Sequence, residues 1–139
     1  MTGSDNKALV RRYYHEILEQ RNTAIIDDIF SPNFLAYPAL SPVVTLHDYK
    51  AALATSHYAL EDIHVSIDDQ IAEGEKVVTR WHATAIHQGT FIGIPATGKT
   101  ITTSAIHIHR IIDGKIVEFW EQIDLFGMFV QIGSFPKMI

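Results

Sequence analysis

The feature that most limits how this chain can fold is its second half, where alternating, β-branched runs cover residues 62–72, 76–89 and 99–112, and Asp113-Gly114 joins the last of these to a fourth at 115–123. An Asp-Gly pair between IHIHRII and KIVEFW predicts a two-residue hairpin, because both central positions of that turn need positive φ. Glu73-Gly74-Glu75 marks a similar, weaker turn. Strands of this kind bury one face, and the first half of the chain supplies helices to cover it. Leu9, Tyr13 and Ile17, with Val10, Tyr14 and Leu18 beside them, repeat at helical spacing from Lys7 to Asn22, after a loose polar tail over residues 1–6. A shorter helix from Thr23 to Phe30 stops at Ser31-Pro32, and an extended piece, FLAYPALSP, follows. Thr45 and Asp48 have cap spacing ahead of a helix that reaches about Ala59. The end, DLFGMFVQIGSF, reads as an amphipathic helical stretch capped by Asp124 and terminated by Gly133 and Pro136. Helices first and strands after predict an α+β fold, one domain over 1–139, with helices on the concave face of a curved antiparallel sheet around a pocket.

Composition narrows the function. Cysteine is absent, which removes disulfides, thiolate nucleophiles, thiolate zinc sites and iron–sulfur clusters. Lys+Arg 11 against Asp+Glu 16 gives a net charge of −5, a field that repels phosphate backbones, so no nucleic-acid partner is expected. Hydrophobic residues make up 47% and charged residues only 19%, more apolar material than a small core needs. The surplus points to a pocket and to a homodimer packed sheet against sheet through the face carrying Ile106, Ile108 and Trp120. No apolar stretch approaches membrane-spanning length and the first residues lack a leader pattern, so a soluble, cytoplasmic protein with no membrane contact is expected.

Gly93-Ile94-Pro95-Ala96-Thr97-Gly98-Lys99-Thr100 fits the G-x-x-x-x-G-K-T phosphate-loop pattern. That motif works only where the loop runs into a helix whose first amides face the phosphates. Here Lys99 leads into TITTSAIHIHRI, a strand pattern, so the segment is expected to be a hairpin connection that binds no nucleotide.

Alternation sorts the last two strands by face. Ala105, His107, His109 and Ile111 share one side; Val117, Phe119, Glu121 and Ile123 share another, opposite Ile116, Glu118, Trp120, Gln122 and Asp124. Glu121 is thus the ionisable group of an apolar row, either a salt-bridged surface carboxylate or a pocket acid/base with a pKa raised by burial. His107 reads equally as a core histidine or a pocket group, while His109, His82 and His87 read as ordinary strand histidines. Trp81, Trp120 and Tyr37 are aromatics able to line a cavity. Ideal pairing from the Asp113-Gly114 turn sets His109 opposite Glu118 and His107 opposite Trp120, one step out of phase with Glu121, unless a bulge shifts the register. No metal-binding pattern is present, so no metal is expected.

The segment from Gly93 to Lys99, the run Ile106-His-Ile-His-Arg-Ile-Ile-Asp-Gly-Lys-Ile-Val-Glu-Phe-Trp-Glu-Gln-Ile-Asp, and then Gly127 and Gln131-Ile-Gly133 resemble the SnoaL-like polyketide cyclases, within the nuclear-transport-factor-like cone folds. The resemblance implies a cone-shaped, barrel-like pocket for a small hydrophobic molecule and ring closure by intramolecular aldol condensation without metal or organic cofactor. It implies catalytic roles for Glu121, at the family's acid/base aspartate, and for His107 in the same pocket, hence a distorted register. Tyr37, His109, Phe119 and Trp81 are the expected pocket residues. Isomerase, dehydratase or hydrolase chemistry would use the same parts, and a non-catalytic ligand-binding domain is the alternative. Glu121 is one methylene longer than the family's aspartate, and Leu35-Ala36-Tyr37-Pro38 stands where the cyclases carry a pocket asparagine.

Overall fold

The computed structural model describes residues 2–133, so the expected stop at Pro136 lies outside the described residues. The first helix, α1 (Gly3–Arg12), begins earlier than the apolar periodicity suggests, because Thr2 and Asp5 form a reciprocal capping box that satisfies the first free amides. What reads as a polar tail is therefore the helix's first turn. The helix continues as a π-helical segment, Tyr13–Glu19, and this wider turn goes with burial of both adjacent tyrosines, Tyr13 and Tyr14, together with Ile17.

A single 3₁₀ turn (Thr23–Ile25) leads into the short α2 (Ile26–Ile29) and then directly into β1 (Phe30–Tyr37), which runs through Ser31-Pro32 as extended chain. After β2 (Val44–Thr45), helix α3 (Leu46–Ala59) starts on a Thr45 side-chain cap. Four strands follow: β3 (Leu60–Glu73), β4 (Lys76–His87), β5 (Thr100–Ile112) and β6 (Lys115–Ile123). Helix α4 (Leu125–Gln131) closes the described chain; the Asp124 carboxylate accepts the Gly127 amide at 2.9 Å, and the Gln131 amide group exchanges two hydrogen bonds with the Thr102 backbone on β5. None of these helices is long and apolar enough to cross a membrane.

The six strands form one sheet in the order β2-β1-β6-β5-β4-β3. Two expectations change. The sheet is mixed, since β1 pairs parallel to β6, and it is open, with β2 and β3 as its edges. β1 follows directly from α2 and runs in the same direction as β6.

The turn chemistry behaves as read: Asp113 and Gly114 both have positive φ (49° and 74°), and Ile112 faces Lys115. One step further the ladder slips. Ile111 faces Ile116 but Arg110 faces Glu118, which makes Val117 an extra residue on β6. The bulge reverses parity for everything beyond it. Ile116 therefore joins the core face and is fully buried, although strict alternation puts it beside Trp120.

The concave face of the sheet and the helices enclose the main core, in which Tyr14, Ile17, Phe30, Phe34 and Ile116 are almost completely buried. A smaller cluster of Ala85, Ile101, Met128 and Ile132 sits under α4. The phosphate-loop letters lie in irregular chain after β4, and Lys99-Thr100 opens β5, not a helix.

Candidate active site

The slip at Val117 decides the site. Four residues beyond the bulge Glu121 comes directly opposite His107, on the same face of adjacent antiparallel strands, where side chains meet. The ideal two-residue register is overturned here, and the distorted one holds. His107 Nε2 lies 3.1 Å from Glu121 Oε2, and its Nδ1 lies 2.8 Å from the Tyr14 hydroxyl. An acceptor nitrogen facing a carboxylate would be repulsive, so Nε2 carries the proton and donates to Glu121, while Nδ1 accepts from Tyr14. The Ala39 amide donates to the other carboxylate oxygen at a longer 3.5 Å.

The network extends inward from there. Thr79 donates to the Tyr14 oxygen, the Gln70 side-chain amide donates to Thr79 at 3.2 Å, and Arg11 holds the Gln70 oxygen at 2.7 Å. Every member between Gln70 and Glu121 is thereby fixed in one orientation. Burial pushes the Tyr14 phenol well above its usual pKa, which keeps the hydroxyl protonated and donating near neutral pH.

The charge states follow from burial and partners. His107 is 1% exposed; desolvation lowers its pKa, Glu121 opposes that, and the net shift is downward, which leaves a neutral imidazole near pH 7. For Glu121 burial acts to raise the pKa, but the His107 hydrogen bond, the His107 charge and the Ala39 amide together outweigh it, and the carboxyl lies below its ordinary 4.5. The raised pKa expected from an isolated carboxylate in an apolar row is therefore corrected. The row is apolar, yet the neighbouring strand and the β1–β2 connection bring donors that alternation along β6 does not reveal.

Glu121 opens onto a cavity of about 330 Å³ between the sheet and the helices. Trp81, His107 and Phe119 line it beside Glu121, and Leu53, Ile101 and Met128 are among its apolar walls. Trp81, whose ring centroid is 5.1 Å from that of His107, has its indole N–H buried without a partner among the described residues.

Two expected pocket residues stand elsewhere. Tyr37 lies on the other face of the sheet, stacked on Trp120 with centroids 5.4 Å apart and its hydroxyl donating to Glu118, because it is level with Trp120 in the parallel β1–β6 pairing. His109 is fully buried behind the cavity wall among Tyr13, Tyr14 and Phe119, with neither ring nitrogen partnered among the described residues; burial holds its pKa well below the usual histidine value. His82 pairs with Asp68 on the outer surface, and His87 is buried against Thr97. Among the described residues, no group of three or more His, Cys, Asp or Glu side chains is placed to hold a metal ion.

Several cavity groups gave no sequence signal. Tyr13 and Tyr49 pair their hydroxyls at the cavity wall, whereas Tyr13 and Tyr14 read in sequence only as part of an apolar helix stripe; Tyr14, off the cavity, supports His107. His57, on α3, also lines the cavity.

A helix-backed curved sheet with a half-buried carboxylate, fixed by a histidine and facing an apolar cavity, is the build of a small-molecule acid/base site. The chain belongs to the SnoaL-like polyketide cyclase family, whose profile matches residues 8–132. It is 30% identical over 135 residues to two aklanonic acid methyl ester cyclases, DauD of Streptomyces sp. (strain C5) and DnrD of Streptomyces peucetius; the match covers 91% of this chain and 80% and 89% of theirs. Among solved structures, AclR of Streptomyces galilaeus, a proposed hydroxylase, superimposes with a TM-score of 0.90 at 25% identity, covering 99% of this chain and 91% of that one. TsrD of Streptomyces laurentii shares the fold, with a TM-score of 0.85 at 24% identity over 97% of this chain and 99% of its own.

Proposed function

We propose that this protein is a cofactor-independent acid/base enzyme that closes a ring in a small hydrophobic carbonyl compound of the polyketide type. The observation that carries this reading is an ionised carboxylate, Glu121, fixed by His107 at the wall of an apolar cavity also lined by Trp81, whose N–H has no partner among the described residues.

In this scheme Glu121 removes a proton from the carbon next to a carbonyl, and the C–H electron pair becomes the enolate. Trp81 N–H donates to the oxygen that gains charge, the place an absent asparagine would otherwise take. The enolate carbon attacks a second carbonyl of the same molecule, forming the C–C bond, and the resulting alkoxide takes back the proton held by Glu121. His107 donates to the carboxylate and is itself held by Tyr14, so its role is to aim Glu121. The extra methylene of a glutamate, worth about an ångström of reach, is taken up by this clamp. The cavity volume lies within the range of small-ligand sites.

Glu121→Gln keeps the shape and removes the base. Turnover of aklanonic acid methyl ester, or exchange of α-protons in an aromatic methyl ketone followed by NMR in heavy water, is expected to fall by about a hundredfold or more. Full activity in the variant would assign Glu121 a structural role and favour a ligand-binding domain.

We also propose a homodimer through the outer sheet face, where Ile106 is 48% exposed and Ile108 and Trp120 are partly so. Light scattering that gave a 15.6 kDa particle at micromolar concentration would remove that proposal. The expected cytoplasmic location is tested by fractionating the producing cells; recovery in a secreted fraction refutes it.

A further inference from the structure

His57 and Thr103 are polar groups of the cavity wall that the proposed chemistry leaves unused. His57 stands in the last turn of α3 and is only 9% exposed. Its ring hydrogen-bonds to the Leu18 carbonyl, while Nε2 is buried with no partner among the described residues, so Nδ1 is the nitrogen that donates. A neutral imidazole protonated at Nδ1 presents a bare lone pair at Nε2. Burial is the main reason that His57 stays neutral, and Arg21 adds to it, its guanidinium being held beside the ring by the His57 and Leu60 carbonyls.

Thr103, which lines the same cavity, has its Oγ1 buried and without a partner among the described residues. Both belong to the end away from the acid/base pair. Thr103 precedes His107 by four residues on β5, about 13 Å at the rise of a strand. His57 lies just ahead of Leu60, which pairs with His87 at the far end of β4 from Thr79, the partner of His107. Buried acceptors and hydroxyls without partners are costly, and a ligand in the cavity is what can satisfy them.

We infer that this end of the cavity is a hydroxyl-recognition subsite, in which His57 Nε2 accepts a hydrogen bond from a phenolic or enolic hydroxyl of the bound compound and Thr103 Oγ1 offers a second polar contact. The inference rests on the reading of the cavity as a carbonyl-compound site and makes that compound more specific: apolar along its length, an enolisable carbonyl at one end and a hydroxyl at the other. His57 thereby selects the ligand and sets which end faces Glu121.

Three probes of one shape test this by fluorescence titration of the whole protein: 6-acetyl-2-naphthol, its methyl ether, and 2-acetylnaphthalene. The naphthol is expected to bind about tenfold more tightly than the other two, the scale of one well-made buried hydrogen bond. His57→Phe should abolish that preference, whereas Glu121→Gln should keep it and lose α-proton exchange. Equal binding of all three to the wild-type protein, or a preference retained by His57→Phe, overturns the subsite and leaves the role of Glu121 standing. Failure of every probe to bind at millimolar concentration overturns the carbonyl-compound reading and the subsite together. Should His57→Phe not fold, the ranking of the probes on the wild-type protein decides by itself.

Discussion

Tyr14→Phe probes the support of the acid/base pair without touching the cavity. Tyr14 is fully buried, and its hydroxyl donates to His107 Nδ1, itself in a ring 1% exposed, while receiving the Thr79 hydroxyl. Phenylalanine fills nearly the same volume, so the cavity cost is small. The loss is the partner of a buried ring nitrogen and of the Thr79 hydroxyl, about 2 kcal/mol for groups left unpaired in the interior. A chain of 139 residues has an unfolding entropy of about 290 cal/mol/K, so about 2 kcal/mol lowers Tm by about 7 °C. A second effect separates support from mere packing. Without Tyr14 the carboxylate still keeps the proton on Nε2, but the Nδ1 hydrogen bond no longer polarises the ring, so the bond that helps hold the Glu121 carboxyl below the ordinary value weakens. The acid limb of the pH–rate profile for α-proton exchange should therefore move to higher pH, and the maximal rate should fall by about tenfold. Calorimetry, nitrogen-15 NMR of the His107 ring and the pH profile are the measurements. A melting temperature within about 1 °C of wild type, together with an unmoved acid limb, would refute the supporting role of Tyr14.

Acid should destabilise the fold in two stages, because both kinds of shifted group have folded pKa values below their unfolded ones. His57, His107 and His109 contribute stability that is full above 6.5 and is lost as pH falls through their lower folded values, and Glu121 does the same below 4.5; urea midpoints that stayed level between pH 7 and pH 4 would contradict this. Gly127→Ala puts a Cβ 2.2 Å from Asp124 Oδ2 and so displaces the α4 cap, at a cost of about 1 kcal/mol. Asp124→Ala should cost a similar amount and the double variant no more than either; additive losses in thermal melts would show the two to be independent. ATP and GTP, with or without magnesium, should give no calorimetric binding that depends on Lys99, and a micromolar Kd lost in Lys99→Ala would reverse the reading of residues 93–100.

Local rules were sufficient for much of this molecule. The Asp113-Gly114 turn, the spans of β4 and β5, the bounds of α3 and the Asp124 cap all follow from residues within a few positions of one another, because turn angles, periodicity and caps are short-range properties. The face shared by Ala105, His107, His109 and Ile111 was equally legible, since alternation holds wherever a strand has no insertion. The run from Ile106 to Asp124 also carried the family.

Contacts between distant segments decided the rest. Whether His107 meets Glu121 depends on Val117 being squeezed out of the ladder, a choice between two pairings that differ in how Ile116 and Phe119 fill the core. The parallel β1–β6 pairing, which takes Tyr37 to the outer face, depends on where the helices deliver β1. Tyr14 gave only an apolar stripe, because nothing nearby in sequence shows that the buried ring above its hydroxyl is His107, 93 residues away. Sequence therefore determined which groups could titrate. The direction in which the Glu121 pKa moves belongs to the tertiary structure, because it is the difference between desolvation and donors brought by His107 and Ala39 from two other parts of the chain.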